Sequence, residues 1–219
     1  MQSRIALRDD RAAALALGLI PDTALPAFDI YVDLLCRWQD IKNLVGPRTL
    51  DHVWTRHVAD SAQLLPLAPT ARKWIDIGTG AGFPGLVLAI LLRGRPDCEI
   101  HLIESNSRKC AFLRAVSRET GAHAQIHAGR IEDILPRLGE ADVITARALA
   151  PLTELLALGK DLLRTGAIGI FPKGQDLEAE LTVAAKSWNI DYHIVPSVTD
   201  PQGRICIVRQ LREHGSDHG

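Results

Sequence analysis

Residues 74–85 of the chain, WIDIGTGAGFPG, carry the most specific chemical pattern in the sequence. A short apolar run leads into a turn with alternating glycines, which allow a backbone to turn tightly and to approach a ligand closely. The turn also satisfies the G-x-G-x-x-G pattern of dinucleotide sites, and Glu104 follows about 20 residues later as a candidate ribose ligand. The glycines that we expect to contact a ligand are Gly78, Gly80 and Gly82.

Asp76 lies at the end of the apolar run, and its charge favours one class of ligand over another. A carboxylate at this position repels the pyrophosphate of a dinucleotide, but it suits a ligand that carries positive charge. S-adenosylmethionine is such a ligand, because it has a cationic ammonium and sulfonium, no phosphate, and a ribose that still requires an acidic partner. We therefore expect Asp76 and Glu104 to bind S-adenosylmethionine, and a nicotinamide-dependent dehydrogenase is the disfavoured alternative.

The elements around this turn alternate between strands and helices. Such alternation predicts an α/β protein with a Rossmann-like, doubly wound and mostly parallel sheet. The last two strand-like runs, 190–198 and 204–211, are separated only by a turn, which predicts an antiparallel C-terminal hairpin and favours a methyltransferase fold over a dinucleotide fold. The predicted strands before this hairpin are Trp74–Ile77, Glu99–Glu104, Gln125–His127, Asp142–Ala146 and Ala167–Pro172, and the predicted helices are Phe83–Leu92, Ser107–Thr120, Pro151–Leu163 and Leu177–Trp188.

The region before the glycine turn has a helical pattern. Apolar residues recur at three- and four-residue spacings from about residue 24, and LDHVWTRHVADSAQLL, residues 50–65, predicts a second helix. We divide the chain into a helical N-terminal extension (1–70), a methyltransferase domain (71–211) and a disordered tail (212–219).

The composition is compatible with a cytoplasmic enzyme. With 25 Lys and Arg against 26 Asp and Glu, any affinity for a polyanion must come from a local basic surface. The four cysteines form no C-x-x-C pair, so neither a zinc site nor a disulfide framework is predicted. No apolar run approaches the length of a membrane span, and no cleavable export signal is evident.

Several motifs together resemble one known family. The strings DIGTGAGFPGLVLAI, LIESNSRKCAFL, GRIEDI, ITARALAPL and FPKGQ, with RWQDIKNLV and RHVADS upstream, are similar to the RsmG (GidB) family of bacterial small-subunit (16S) ribosomal RNA guanine-N7 methyltransferases. The resemblance covers about residues 31–173. It implies S-adenosylmethionine as cofactor and small-subunit ribosomal RNA or the small ribosomal subunit as partner. We expect no metal site. An S-adenosylmethionine-dependent enzyme acting on another RNA or a small molecule, and a non-catalytic ribosome-binding or RNA-binding module, are the alternatives.

The resemblance also implies roles for individual residues. Phe83 matches the apolar position that packs against the cofactor, and Ile131 and Glu132 match the segment beside its adenine. From the residues alone, Glu132 could equally be a solvated carboxylate in the first turn of a helix.

Arg147 and Lys173 match positions that follow two later strands, and we expect both to orient the reactants without acting as a general base. Arg147 could hold the cofactor carboxylate or the acceptor edge of guanine, and either residue could instead be an ordinary ion-pair partner or surface cation.

Two further groups are expected on the substrate side. The motif RHVADS supplies Arg56, His57, Asp60 and Ser61, which the resemblance places over the cofactor cleft and which could also form only a local hydrogen-bonded cluster. The basic residues that could contact RNA, or simply form solvated surfaces, are Arg37, Lys42, Arg48, Arg56, Arg108, Lys109, Arg114 and Arg118.

Overall fold

In the computed structural model, which describes residues 2–42, 44 and 47–213, a single sheet contains every strand of the described chain. Its strands are β1 Lys73–Ile77, β2 Glu99–Glu104, β3 Gln125–Ala128, β4 Val143–Thr145, β5 Ile168–Lys173, β6 Trp188–Pro196 and β7 Arg204–Glu213. The α-helices are α1 Gln2–Ala16, α2 Leu25–Lys42, α3 Asp60–Ala62, α4 Gly85–Leu92, α5 Ser107–Thr120, α6 Ile131–Ile134, α7 Leu152–Arg164 and α8 Leu177–Ala184.

The strand order is β3-β2-β1-β4-β5-β7-β6. Strands β1 to β5 pair in parallel, β7 runs antiparallel to β5, and β6 runs antiparallel to β7. This confirms the predicted Rossmann-like sheet and its C-terminal hairpin. The order reverses direction between β1 and β4, and open α/β sheets bind ligands at the carboxyl ends of the strands on either side of such a point.

Helix α4 follows the glycine turn and fits closely between the sheet and the N-terminal helices. Its sequence, GLVLAILL, is apolar on all sides, and all of its residues except Leu91 are buried. An apolar helix of this kind requires cover on both faces. The sheet covers one face, and α2, α3 and α5 pack on the other.

The N-terminal region shares a core with the sheet domain. Phe28 and Tyr31 of α2 are fully buried in the same cluster as Leu86 of α4 and Phe112 of α5. The second core cluster lies on the opposite face of the sheet, under α6, α7 and α8. Residues 1–70, which the sequence predicts as an extension, therefore contribute side chains to the main core.

The predicted helix at residues 50–65 is interrupted in the structure. The chain forms a 3-10 turn at Pro47–His52, a π-helical turn at Trp54–Ala59, helix α3, and a second 3-10 turn at Leu65–Leu67. Asp10 of α1, a helix within the predicted helical extension, contacts the start of the π-helical turn. The Asp10 carboxylate is buried, accepts a hydrogen bond of 2.7 Å from the Trp54 backbone N–H, and also bonds Thr55. It thus caps a new turn at Trp54.

Two other boundaries differ from the predictions. Helix α8 ends at Ala184, and Trp188, predicted to end that helix, begins β6 instead. Strand β7 continues to Glu213, beyond the predicted domain limit, and residues 214–219 lie outside the described residues.

The side chains of Lys42 and Arg48 also lie outside the described part of the chain. Within the described ranges, no helix has the length and apolar character needed to cross a membrane.

Candidate active site

A cavity of about 1050 Å³ opens at the carboxyl ends of β1, β2 and β4. The sequence predicts a ligand at this edge of the sheet, and the structure brings distant segments together there. The wall contains the glycine turn, the end of β2, the start of α6, the segment after β4, and two segments outside the central sheet: residues 56–60 and 199–201.

Asp76 stabilises the glycine turn through hydrogen bonds to residues on either side of it. Its Oδ2 accepts hydrogen bonds from the Thr79 hydroxyl at 2.5 Å and from the Gly85 backbone N–H at 2.8 Å. The side chain is 1% exposed, and its burial raises the pKa of Asp76 to about 7, against the lowering effect of these two bonds. Oδ1 is buried and has no hydrogen-bond partner in the described chain. Asp76 is not among the residues that line the cavity, and its predicted contact with a cationic ligand stays a prediction.

The glycines of the turn adopt backbone conformations that other residues rarely adopt. Gly78, Gly80 and Gly82 have φ angles of 65°, 62° and 99°. A Cβ on Gly80 would meet no atom nearer than 3.9 Å, so the backbone is open to the cavity at this point. Such an opening would permit the close approach of a ligand that the G-x-G pattern predicts, and contact with a ligand stays a prediction.

Glu104 ends β2 and lines the cavity beside this turn. Its Oε2 accepts a hydrogen bond from the Gly80 backbone N–H at 3.0 Å, and its Oε1 accepts one from the Asn106 N–H at 2.8 Å. Each carboxylate oxygen retains a lone pair for a further donor. Ile131 and Glu132 lie at the start of α6 and line the same cavity, so the structure groups the three residues that the sequence assigns to ribose and adenine.

Phe83 stacks with two other rings. Tyr31 stacks on it at a centroid distance of 5.2 Å and His57 at 4.8 Å, and the Arg147 guanidinium lies 5.2 Å from its ring centre. The Tyr31 hydroxyl donates a hydrogen bond of 2.6 Å to the Ala81 carbonyl oxygen, which ties α2 to the glycine turn. Phe83 is therefore almost wholly covered by protein, although it still lines the cavity.

Arg147 is held by the RHVADS segment. Its Nη1 donates to the Arg56 carbonyl oxygen at 2.8 Å and to Asp60 Oδ2 at 3.1 Å, and its Nη2 donates to His57 Nδ1 at 2.6 Å. The side chain is 16% exposed. Three of its five N–H donors are engaged in these bonds, and the other two are available to a ligand.

The RHVADS residues therefore form more than a local helical cluster. His57 and Asp60 both bind an arginine about 90 residues away in sequence, and both line the cavity. Their expected role on the substrate side stays a prediction. Ser61 does not take part, because it is buried and its hydroxyl donates to the His57 carbonyl oxygen at 2.6 Å.

His57 is neutral at physiological pH. Burial, and then the charges of Arg147 and Arg56, lower the pKa of His57 to about 3. Because arginine can only donate, Nδ1 must be the acceptor and the ring proton is on Nε2. Nε2 is buried and has no partner among the residues described.

Lys173 lies in a second cavity of about 510 Å³, rather than in the main cavity where the sequence placed it. Its Nζ forms an ion pair of 2.6 Å with Glu180 and donates to the Ala150 carbonyl oxygen at 3.0 Å. Glu180 in turn accepts from the Leu152 backbone N–H at 2.5 Å. The side chain of Lys173 is 9% exposed, and these bonds stabilise the loop that carries Arg147.

Some wall residues were not identified from the sequence. Thr199 and Asp200 come from the turn between β6 and β7, which the sequence indicates only as a turn. Thr199 donates a hydrogen bond of 2.6 Å to Asp60, and Asp200 lies 3.7 Å from Arg56. No sequence motif marks this turn, since its role arises only when the hairpin folds back over the sheet.

The structure shows different contacts for four of the basic candidates. Arg56 and Lys109 line the main cavity. Arg37 and Arg118 instead form exposed ion pairs with Asp33 and Glu119. Exposed pairs of this kind contribute little stability and remain free to exchange partners.

The fold is similar to that of Rossmann-like methyltransferases of known structure. The structure is similar to that of the O-methyltransferase TomG from Streptomyces achromogenes in complex with S-adenosylmethionine, with a TM-score of 0.61, 18% identity, and coverage of 93% of this chain and 98% of that one. An O-methyltransferase from Bacillus cereus in complex with S-adenosylhomocysteine has a TM-score of 0.61 and 15% identity, with coverage of 93% and 100%. At these identities the likeness concerns the fold alone.

The sequence comparisons define the family. Residues 24–207 match the family described as rRNA small subunit methyltransferase G (GidB). A protein named ribosomal RNA small subunit methyltransferase G from Methylorubrum populi is 54% identical over 203 residues, which are 93% of this chain and 96% of the relative. One of the same name from Caulobacter vibrioides is 46% identical over 202 residues, or 92% of each. The chain therefore belongs to the rRNA small subunit methyltransferase G family, which confirms the resemblance seen in the sequence.

Proposed function

We propose that this chain transfers the methyl group of S-adenosylmethionine to N7 of a guanine in small-subunit ribosomal RNA. The observation that carries the proposal is the main cavity, which joins a glycine turn and Glu104 on one side to Arg147 and the RHVADS segment on the other, in a chain of this methyltransferase family.

The residues of the cavity fit this cofactor. Glu104 has acceptor capacity for ribose hydroxyls, the open backbone at Gly80 permits close approach, and Ile131 offers an apolar surface to an adenine. Asp76 supplies a buried carboxyl group behind the turn, where a cation would favour its charged form. When bound, S-adenosylmethionine supplies an electrophilic methyl carbon on a cationic sulfur.

No general base is needed for this reaction, because N7 of guanine has an available lone pair. The structure supports this assignment at His57, the residue type most often used as a base. His57 Nδ1 is occupied by Arg147, and the pKa of His57 is lowered to about 3. The chain's contribution is then to align the reacting atoms and to exclude water, which can lower a barrier by about 7–11 kcal/mol in well-oriented systems.

Arg147 is the orienting residue in this proposal. Its two remaining N–H donors can bind the carboxylate of the cofactor or the acceptor edge of the guanine. The variant Arg147→Lys keeps the charge but cannot make the three directional bonds to residues 56–60. If Arg147 binds the cofactor, this variant weakens S-adenosylmethionine binding; if it binds guanine, cofactor affinity is unchanged and the KM for RNA rises. Arg164→Lys, at an exposed ion pair with Glu213, is the matched control.

Two measurements test the proposed function. Calorimetric titration should show binding of S-adenosylmethionine and S-adenosylhomocysteine but not of NAD, and strong NAD binding would reject the methyltransferase assignment. Labelled methyl should then pass to small ribosomal subunits, or to their extracted RNA, from a strain that lacks this gene. Cofactor binding without transfer to either would favour a different methyl acceptor, and failure to bind the cofactor would favour a non-catalytic ribosome-binding role.

A further inference from the structure

The second cavity adjoins the main one through a shared wall. The wall is the segment after β4, residues 147–150, which lines both cavities. Ala148 in this segment has a φ of 53°, a backbone conformation that non-glycine residues rarely adopt, and such strain is concentrated at functional sites. The conformation leaves Leu149 37% exposed between the two cavities. An exposed apolar side chain at this position offers a surface on which an unstacked base can pack.

Arg204 places an unmatched positive charge in the second cavity. It is the first residue of β7 and lies directly opposite Lys173 on β5. Directly opposed residues of an antiparallel pair point to the same face of the sheet, and like charges there are unfavourable. Glu180 neutralises Lys173 at 2.6 Å. Within residues 2–42, 44 and 47–213, Arg204 has no carboxylate partner.

The carboxylates around the cavity already have other partners. Asp60 bonds Arg147, and Asp200 accepts from the Gln202 backbone N–H at 2.9 Å and lies 3.7 Å from Arg56. The cavity is lined by three cations, Arg147, Lys173 and Arg204, and by three carboxylates, Asp60, Glu180 and Asp200. Arg147 and Lys173 form ion pairs with Asp60 and Glu180, and Arg204 is the cation of this lining that has no carboxylate partner in the described chain. An anion that enters the cavity could therefore bind Arg204 without breaking an existing ion pair.

The guanidinium of Arg204 is also held in place. Its Nη1 donates to the Pro201 and Gly203 carbonyl oxygens at 3.0 and 2.8 Å. The Nε and Nη2 donors remain, and they form the edge that binds a phosphate group through two parallel bonds. An arginine fixed in this way loses little conformational entropy when it binds an anion.

We propose that the second cavity binds the RNA backbone beside the target nucleotide, with Arg204 as the residue that contacts its phosphodiester group. The main cavity would then receive the target base, and the neighbouring nucleotide would pass over Leu149 into the second cavity. This inference rests on the proposed function, because it assigns the position of an RNA substrate relative to that site.

The test compares Arg204→Ala and Arg204→Lys with Arg209→Ala, an exposed arginine on the same strand. The probe is the small ribosomal subunit from a strain that lacks this gene. Loss of one charge-assisted phosphate contact should raise the KM for the subunit about tenfold with little change in kcat. It should also reduce the slope of log binding constant against log salt concentration by about 0.7–0.9. Arg204→Lys should recover most of the salt slope but not all of the affinity.

Cofactor affinity separates this role from a structural one. Pro201 lines the main cavity, so a collapse of the turn that Arg204 holds would also weaken S-adenosylmethionine binding. We expect the cofactor dissociation constant of Arg204→Ala to match that of the wild type. The inference is overturned if Arg204→Ala behaves like Arg209→Ala, or if its only effect is on the cofactor. If the wild-type protein transfers no methyl group to the subunit, the proposed function itself fails, which is a distinguishable result.

Discussion

Replacement of Gly85 with alanine measures how closely helix α4 packs against the sheet. A Cβ at this position would lie 2.0 Å from Cδ2 of Leu102 and 2.7 Å from Oδ2 of Asp76. Both neighbours are fully buried, so neither can move into solvent. Overpacking at such a site costs about 1–3 kcal/mol, and each kcal/mol lowers the Tm of a chain of this length by about 2–4 °C.

Two other glycines provide matched controls. Gly80 has a φ of 62°, and an added Cβ would meet nothing nearer than 3.9 Å, so Gly80→Ala carries only the cost of the left-handed backbone, about 1–2 kcal/mol. Gly94 has neither a left-handed φ nor a neighbour within 4 Å, so Gly94→Ala should be neutral or stabilising by up to about 1 kcal/mol.

Urea denaturation measures the free energy of unfolding of the three single variants, Gly85→Ala, Gly80→Ala and Gly94→Ala, so that their losses of stability can be compared. A further variant, Gly85→Ala with Leu102→Ala, removes Cδ2 and should be less destabilised than the sum of its two single changes. Strict additivity in that pair, or a Gly85→Ala variant as stable as Gly94→Ala, would refute the packing argument.

Three other predictions concern titratable and charged groups. Because burial raises the pKa of Asp76 from 3.8 to about 7, the folded chain binds more protons than the unfolded chain in this window, so the stability contributed by this group falls as pH rises from about 4 to about 7. Asp76→Asn should abolish that slope in urea denaturation and weaken S-adenosylmethionine binding, and an unchanged slope would show that the group titrates normally. His57 should give the opposite pH dependence of stability. Its pKa of about 3 in the folded chain lies below the ordinary 6.5, so the stability that this group contributes is lost as pH falls from about 6.5 to about 3. The ring resonances of His57 in NMR should therefore not titrate near pH 6.5. Lys173→Met leaves Glu180 without its cation and should cost about 1.5–3 kcal/mol, whereas adding Glu180→Gln should recover part of this loss in a double-mutant cycle.

Local patterns were sufficient to predict the parts of the fold and site that depend on nearby residues. The glycine turn at the end of β1 and Glu104 at the end of β2 follow from spacing along 74–104, and Gly78, Gly80 and Glu104 line one cavity in the structure. The C-terminal hairpin follows from two strand-like runs with only a turn between them. In each case neighbouring residues determine the conformation.

The structure differs from the sequence predictions where a residue distant in sequence contacts the segment concerned. Asp10 bonds the backbone of Trp54, 44 residues away, within the predicted second helix, which the structure divides into shorter turns. Glu180 binds Lys173 and holds it in the second cavity, which the matched motif around Lys173 does not indicate. Asp76 faces the start of α4 through two hydrogen bonds, so its first partners are the turn and the helix. A sequence pattern identifies such residues but does not identify their tertiary partners.

The most direct test of the central claim is the identity of the methylated nucleoside. Small ribosomal subunits from a strain that lacks this gene are incubated with the purified protein and labelled S-adenosylmethionine, and the RNA is digested and analysed by mass spectrometry. The account predicts label in 7-methylguanosine at a single site. Label on an exocyclic amine, a ribose hydroxyl or another base would contradict it, because the methyl acceptor would then be a different atom. Methylation of a hydroxyl or an amine also requires removal of a proton, and His57 is not available as the base.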